Sequence, residues 1–295
     1  MNNLHTYTAL SLLADCGSTK VDWCLTQDGN SVLRVQTAGI NPVYQSEEEM
    51  ECCIQNELLP ALGGQVPQSL HFYGAGCATP ALTEKVSDVL QRCICPEGRA
   101  EVCSDMVGAA RSLLGRQAGI ACILGTGSNS CLWNGERMLQ NVSPLGFILG
   151  DEGSGAYLGK RLVGDLLKGQ TPSHLRDAFL ARYELTPGDI IDRVYRQPFP
   201  NRFLASLSPF IAEHRDEPCM RRIVLESFRA FLTRNVCLYP HYEEYPVCFT
   251  GSIAWHYRDW LGEAMSEAKL RLGVVKASPM EGLVEYHGKY DQLLI

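Results

Sequence analysis

Hydrophobic positions in the N-terminal third of the chain follow two alternating patterns, one typical of strands and one typical of helices. Short apolar runs bounded by turn residues predict strands over 9–16, 20–27, 31–39, 69–76 and 100–105, with a tight turn at Asp28-Gly29. Apolar residues three and four positions apart predict helices over 46–62, 79–93 and 106–115. Ser46 and Glu49 are spaced for a capping box, and Pro80 suits a first helical turn. The predicted order is βββαβαβα.

The opening pattern recurs further along the chain. Residues 119–135 again read as an apolar strand, a turn rich in Gly and Ser, and a second strand, and 136–143 can supply a third. Placing Gly17-Ser18 on Gly127-Ser128 also places Trp23 on Trp133, an offset of 110 positions. This recurrence predicts two consecutive βββαβαβ units.

The second unit is predicted to carry a large helical insertion. Residues 151–245 have mostly helical patterns, which proline-containing segments interrupt at 171–172, 186–188, 197–200 and 218. A strand beginning at 246 leads through a Gly-Ser turn into a helix that reaches about 271, and 272–278 is a last strand. We therefore expect an α/β chain with domains at 1–117 and 118–278, an insertion at about 156–245 and a final helix at about 279–295.

Charge and composition limit the partners. The net charge of −7 offers no basic surface to nucleic acid, and no apolar run approaches the ~20 residues of a membrane span. The thirteen cysteines contain no CxxC pair, which favours reduced thiols and a cytoplasmic location over disulfides or a zinc site. A homodimer is left open by the sequence.

Three turns that follow apolar strands are rich in Gly, Ser and Thr, at 15–20, 125–130 and 250–253. Backbone N–H groups in such turns form concave anion sites, and glycine allows a polyphosphate to approach closely. One such turn is weak support because hairpins use the same residues. Three of them, two at matching places of a repeat, favour phosphate binding.

Acidic residues accompany these turns. Asp15 ends a predicted buried strand, where it either caps its own turn or helps to hold Mg²⁺. Asp105 also ends a predicted strand and begins a helix. A lone Asp at such a place is most often a helix N-cap, and the alternative is a role in the chemistry of the site. Asp151-Glu152 lies between glycines, which favours a ligand role. The sequence contains no GxxxxGK[ST], GxGxxG or HExxH motif.

These stretches carry a resemblance to the actin-like ATPase and sugar kinase superfamily. DCGSTK at 15–20 resembles its first phosphate motif, although Cys16 and Ser18 stand where that motif often has glycines. GTGSN at 125–129 resembles its second phosphate motif, and GSIA at 251–254 is similar to its adenosine motif. GDEGSGAYLGK at 150–160 resembles a signature of the N-acetylglucosamine kinase-like proteins, which are grouped with the BadF/BadG/BcrA/BcrD ATPases.

The resemblance implies two ribonuclease-H-like domains with ATP and Mg²⁺ in the cleft between them, and a final helix that packs back onto the first domain. The implied nucleotide contacts are Gly17, Ser18, Thr19, Lys20, Gly125, Thr126, Gly127, Ser128, Gly251 and Ser252. The implied sugar contacts are Asn41, Asp105, Asn129, Asp151 and Glu152, and Asp15 is the candidate Mg²⁺ ligand. Asp105 stands where such kinases accept the proton of the attacking sugar hydroxyl.

Two functions follow from the resemblance. The first is an ATP-dependent kinase of an amino sugar, most concretely N-acetylglucosamine. The alternative is an ATPase that activates a 2-hydroxyacyl-CoA dehydratase-like partner. Activating ATPases of this kind hold an iron–sulfur cluster between two subunits. Cys77, Cys93, Cys95 and Cys103 could be offered to such a cluster, but their spacing does not select one.

Overall fold

The computed structural model describes residues 10–17 and 19–290, and these residues divide into two compact units. Unit 1 extends to Gly115 and resumes at Pro279, and unit 2 is Arg116–Ser278. Within the described residues, each unit contains one mixed sheet with flanking helices. The predicted α/β class with two similar units is therefore confirmed.

Unit 1 is built on a sheet whose five described strands have the order β3-β2-β1-β4-β5. They are β1 Leu10–Cys16, β2 Lys20–Gln27, β3 Asn30–Ala38, β4 Ser69–Gly74 and β5 Arg99–Ser104. The first three strands are antiparallel neighbours, whereas β4 and β5 run parallel to β1. The predicted turn at Asp28-Gly29 is confirmed, since both residues have the positive φ that a tight hairpin turn requires.

The helices of unit 1 agree with the sequence pattern except at one point. They are α1 Glu47–Cys53, α2 Leu59–Leu62, α3 Pro80–Ile94 and α4 Asp105–Leu114. The capping box of Ser46 and Glu49 and the first-turn position of Pro80 are confirmed. A π-helical turn, Ile54–Leu58, interrupts the single helix predicted over 46–62. Pro60 has no N–H to continue the α-helical pattern, which explains why the interruption falls just before it.

The sheet of unit 2 repeats the topology of unit 1. Its described strands are β6 Gly119–Leu124, β7 Ser128–Trp133, β8 Met138–Gln140, β9 Val247–Thr250 and β10 Leu272–Lys276. Their order, β8-β7-β6-β9-β10, matches that of unit 1 strand for strand. Strand β8 is shorter than the predicted 136–143, because the Asn141 side chain donates to the Ser130 carbonyl at 2.6 Å and takes the place of backbone pairing.

Helices occupy most of the rest of unit 2. They are α5 Gly146–Leu149, α6 Gly155–Leu167, α7 Ser173–Tyr183, α8 Pro187–Tyr195, α9 Pro200–Ser206, α10 Pro209–Glu213, α11 Pro218–Arg234, α12 Ser252–His256 and α13 Arg258–Glu267. Short 3₁₀ turns cover Val236–Leu238 and Tyr242–Glu244. The predicted proline breaks are confirmed. The short helix α5 and the break at Pro209 were not predicted.

The last described helix, α14 Met280–Tyr290, belongs to unit 1 and packs against α4 and β1. Because side chains alternate along β1, Leu13 packs with Leu283 of α14, whereas Leu12 packs on the opposite face with Val86 of α3. This two-sided packing fixes the ends of β1 and β5, where the candidate residues of unit 1 lie.

Among the described residues, no helix is both long and apolar enough to cross a membrane. All thirteen cysteines lie in the described part of the chain, and each is a free thiol there.

Candidate functional site

The turn that joins β1 to β2 is the first of the three candidate phosphate turns. The Gly17 N–H donates to the Lys20 carbonyl at 3.1 Å, and the Gly39 N–H donates to the Thr19 carbonyl at 3.1 Å. Thr19 and Lys20 are exposed, and the Lys20 ammonium lies 3.2 Å from the Asp22 carboxylate. Ser18 lies outside the described residues. The described residues of the turn are thus held by their own backbone and by Gly39, with the Thr19 and Lys20 side chains toward solvent.

Cys16 does not take part in this turn as a ligand group. Its side chain is buried in the core of unit 1, and its Sγ donates to the Ile40 carbonyl at 3.0 Å. Burial raises the pKa of the Cys16 thiol far above its usual range. The cysteine that replaces a glycine of the family motif is therefore a packing residue.

Asp15 and Asp105 form a pair of acids at the carboxyl ends of β1 and β5. Burial, together with the nearby carboxylates of Asp105 and Asp22, raises the pKa of Asp15 to about 7, although the Lys20 ammonium acts in the opposite direction. Burial raises the pKa of Asp105 to about 6, although backbone N–H groups at Met106 and Asp105 itself lower it. In the described chain no hydrogen bond or ion pair reaches the Asp15 carboxylate. Because the pKa values of both acids are raised, the pair can take up a proton or a cation with a small loss of free energy.

The N-cap role suggested for Asp105 is not what the structure shows. The cap position of α4 is Ser104, and Asp105 is the first helical residue. Its carboxylate nevertheless accepts N–H groups of the first turn, which keeps it ordered at the end of β5.

Asn41 lies between β3 and α1. Its Oδ1 accepts the Val43 N–H at 3.0 Å, and its own N–H donates to the Gln45 Oε1 at 2.6 Å. A Cβ on Gly76, whose φ is +90°, would stand 2.8 Å from the Asn41 Oδ1. Glycine therefore allows the loop after β4 to lie against the Asn41 amide. The next residue, Cys77, has a thiol whose pKa is raised to about 12, by burial and by the nearby Asp105 carboxylate.

The second turn connects β6 to β7 in unit 2. The first residues of α6 hold it, because the Gly155 N–H donates to the Gly125 carbonyl at 2.8 Å and the Ala156 N–H donates to the Thr126 carbonyl at 3.1 Å. A Cβ on Gly127 would lie 3.2 Å from the Asp151 carboxylate. The turn is therefore built around Asp151.

Asp151 links the second turn to the glycine-rich stretch 150–155. Its carboxylate accepts the Ser128 N–H at 3.3 Å, and its backbone has a positive φ of 55°. Burial raises the pKa of Asp151, and the Glu152 carboxylate adds to that effect. Such strain and burial at a carboxylate are common at ligand sites.

Glu152 and Asn129 have protein partners in this neighbourhood. The Glu152 carboxylate is buried and paired with Arg234 at the end of α11. The Asn129 Oδ1 accepts the Ser130 N–H at 2.9 Å and the Asn141 side-chain N–H at 2.8 Å. Arg234 was not predicted from the sequence, because it is 82 positions from Glu152 and belongs to no motif.

The third turn packs directly on the second. The Gly251 φ is +112°, and a Cβ there would lie 2.4 Å from the Leu124 carbonyl oxygen and 3.2 Å from the Gly125 nitrogen. The Gly251 N–H donates to the Lys276 carbonyl at 3.1 Å, and Ser252 begins α12. Unit 2 thus brings Gly125 and Gly251 together, as phosphate and nucleoside contacts of one ligand would require.

Two hydroxyls at these turns lack protein partners. The Ser128 Oγ and the Thr250 Oγ1 are buried and make no hydrogen bond within the described residues. Native structures leave few buried polar atoms unpaired, and ligand sites are one reason for such exceptions. Thr250 is the first residue of the third turn predicted at 250–253, but it was not among the implied nucleotide contacts.

Metal ligands are sparse. No group of three or more His, Cys, Asp or Glu side chains that could hold a metal ion occurs within residues 10–17 and 19–290. Cys77, Cys93, Cys95 and Cys103 accordingly form no such group. Mg²⁺ needs only one or two carboxylates beside substrate phosphates, and the Asp15 carboxylate at the end of β1 fits that requirement.

No protein-family model matches the chain, and no curated protein matches it. A solved structure of a proposed N-acetylglucosamine kinase from Porphyromonas gingivalis is 51% identical, with a TM-score of 0.92 over 95% of this chain and 99% of that one.

More distant structures share the fold. A proposed N-acetylglucosamine kinase from Chromobacterium violaceum is 20% identical, with a TM-score of 0.74 over 95% of this chain and 99% of its own. A ROK family glucokinase from Streptomyces griseus, solved with glucose and AMPPNP, is 15% identical, with a TM-score of 0.56 over 96% of this chain and 100% of its own. At these identities the likeness concerns the fold alone.

Proposed function

The chain belongs to the N-acetylglucosamine kinase-like family of the actin-like ATPase and sugar kinase superfamily, and from this we propose that it transfers the γ-phosphoryl group of ATP to a hydroxyl of an amino sugar, namely N-acetylglucosamine. The similarity to the Porphyromonas gingivalis protein supports the substrate class. The observation that carries the chemistry is the acid pair of unit 1, in which burial raises the pKa of Asp105 to about 6.

Asp105 acts as the proton acceptor in this proposal. The hydroxyl oxygen forms a bond to the γ-phosphorus while the bond from that phosphorus to the ADP oxygen breaks, and the hydroxyl proton moves to the Asp105 carboxylate. A base with a pKa of about 6 is largely ionised at pH 7 and is more basic than an ordinary aspartate, which suits general base catalysis.

The sugar contacts in this proposal are Asn41 and Asp151, supported by Asn129 and Glu152. Asn41 is pressed against the loop that carries Gly76, and Asp151 is fixed by the Ser128 N–H, so both side chains have defined positions. Asn129 and Glu152 already have protein partners and stabilise the surroundings of Asp151. One amide and carboxylates together suit the recognition of several hydroxyls.

The nucleotide contacts in this proposal are the three glycine-containing turns. Gly17, Thr19 and Lys20 in unit 1, with Ser18, and Gly125, Thr126, Gly127 and Ser128 in unit 2 are assigned to phosphates. Gly251 and Ser252 are assigned to the nucleoside. The unpaired hydroxyl of Ser128 supports this assignment. Asp15 would hold Mg²⁺, which when bound neutralises phosphate charge.

The test is an assay of ADP release and sugar phosphate formation, with ATP and Mg²⁺ against a panel of N-acetylglucosamine, N-acetylmannosamine, glucosamine and glucose. We expect N-acetylglucosamine to have the highest kcat/KM. Asp105→Asn should lower kcat by about 10²–10⁴-fold, the usual contribution of a general base. Asp88→Asn, on the exposed side of α3, is the matched control and should behave as the wild type.

The outcome separates three cases. ADP release without any sugar dependence would remove the kinase proposal in favour of an ATPase. A different preferred sugar would correct the substrate alone. An Asp105→Asn variant with full activity would show that another group accepts the proton.

A further inference from the structure

The chain has four tryptophans, all in the described residues, and Trp255 differs from the other three in its exposure. It is 38% exposed, whereas Trp23 and Trp133 are 1% exposed and Trp260 is 7% exposed. Tryptophan is a large apolar side chain that proteins bury on average, so an exposed ring at a defined place is a candidate contact surface.

Arg258 fixes the orientation of this ring. The guanidinium carbon of Arg258 lies 4.7 Å from the centroid of the Trp255 ring, and its Nη1 donates to the Trp255 carbonyl at 3.0 Å. A guanidinium over an indole face is a favourable cation–π contact. The arginine therefore covers one face of the ring and limits its rotamers.

Trp255 is placed by the turn assigned to the nucleoside. Its backbone N–H donates to the Gly251 carbonyl at 3.0 Å, so it stands one helical turn beyond Gly251 on α12. The buried residues of that helix, Ile253 and Ala254, hold it against the sheet. Because Gly251 packs on Leu124 and Gly125, the ring is carried by the same small assembly that contains two of the candidate turns.

We propose that Trp255 is the surface on which the nucleotide base stacks, and that Arg258 is a positioning residue that holds the ring. This inference rests on the proposed function, since it concerns the base of the same nucleotide. Stacking on an aromatic ring tolerates every base, because each has a π-face. Stacking on Trp255 therefore increases the affinity for a nucleotide but discriminates little between adenine and guanine.

The experiment compares a ligand that has a base with one that lacks it. ADP and inorganic tripolyphosphate are titrated by calorimetry into the full chain and into Trp255→Ala, Trp255→Phe and Arg258→Met. Loss of base stacking should weaken ADP binding to Trp255→Ala by roughly 5- to 150-fold. Tripolyphosphate binding should not change. Trp255→Phe, which keeps an aromatic face, should retain most of the ADP affinity, and Arg258→Met should weaken ADP binding less than Trp255→Ala does.

Fluorescence gives a readout that does not depend on activity. ADP and GDP should both quench the emission of the exposed Trp255, and tripolyphosphate should not. The quench should vanish in Trp255→Phe while the other three tryptophans still emit. Phe199→Ala is the matched control, since Phe199 is also exposed and also has an arginine, Arg202, over its ring at 4.3 Å.

The results distinguish this inference from the proposed function. If the wild type phosphorylates a sugar but Trp255→Ala binds ADP as the wild type does, the inference is wrong and the function stands. Equal losses of affinity for ADP and for tripolyphosphate in Trp255→Ala would show a structural role for Trp255 and would also overturn the inference. A wild type that binds neither ligand and shows no sugar-dependent ADP release would remove both.

Discussion

The Tyr73 hydroxyl on β4 lies 2.7 Å from the Nε2 of His287 on α14, although the two residues are 214 positions apart. Arg111 donates to the same hydroxyl at 2.6 Å and to the Glu101 carboxylate at 3.0 Å. Glu101 also bonds the His71 ring at 2.8 Å, and these hydrogen bonds hold the pKa of Glu101 well below its usual range. This network attaches the last described helix to the sheet of unit 1, in which Asp15 lies on β1 and Asp105 directly follows β5.

Removal of the Tyr73 hydroxyl should therefore lower the stability of unit 1. Tyr73→Phe removes the buried hydroxyl that accepts a hydrogen bond from Arg111 and bonds the His287 ring, and we expect the free energy of unfolding to fall by about 1–3 kcal/mol. Urea unfolding followed by circular dichroism measures it. Tyr195→Phe, at a tyrosine that is 78% exposed, is the control and should change little. Equal stability of the two variants would contradict a structural role for the network.

Asp15 should make the stability of the free chain depend on pH. Its pKa is about 7 in the fold against an ordinary value of 3.8, so the folded state binds more protons than the unfolded state between these values. The stabilisation is present at low pH and is lost as the pH rises through about 7. Asp15→Asn, which cannot ionise, should exceed the wild type in unfolding free energy by more than about 1 kcal/mol at pH 8.

The difference in unfolding free energy between Asp15→Asn and the wild type should become small toward pH 4, where the wild-type carboxyl is largely protonated. Urea unfolding at both pH values, with EDTA and without nucleotide, is the measurement. Asp88→Asn, at an exposed position of α3, is the control and should have the unfolding free energy of the wild type. A less stable Asp15→Asn at pH 8 would mean that the charged form of Asp15 has a stabilising partner.

Gly251 should tolerate no side chain. Its φ of +112° is in a region that only glycine enters readily, and a Cβ would lie 2.4 Å from the Leu124 carbonyl oxygen. Gly251→Ala should therefore shift the turn away from Gly125, lower the melting temperature and weaken ADP binding. Gly169→Ala is the matched control, since Gly169 also has positive φ but a Cβ there meets nothing within 4 Å. An ADP affinity that is unchanged in Gly251→Ala would argue against a nucleoside contact at this turn.

Arg234 should stabilise the stretch that presents Asp151. The side chain of its partner Glu152 is only 10% exposed, so Arg234→Ala leaves a largely buried carboxylate unpaired, at a cost of about 1–3 kcal/mol. The control is Arg229→Ala on the same helix, because the pair of Arg229 with Glu267 is exposed on both sides and should contribute less than about 1 kcal/mol. Thermal and urea unfolding of both variants check the difference, and equal losses would contradict it.

Several local features were predictable because neighbouring residues determine them. The capping box of Ser46 and Glu49, the turn at Asp28-Gly29 and the proline-initiated helices depend on backbone geometry within a few positions. The repeated strand order followed from two similar hydrophobic patterns. The three glycine-containing turns could also be located, since each follows an apolar strand.

The sequence by itself thus determined the α/β class, the repeat, the resemblance and the positions of the candidate turns. Only the tertiary structure decided that Asp15 and Asp105 influence each other, that Gly251 lies against Leu124, and that Glu152 pairs with Arg234. Contacts of this kind join residues far apart in the chain, and their burial and charge depend on how strands and helices pack. Local propensity contains no information about that packing, so the acidities and close approaches emerge only in the fold.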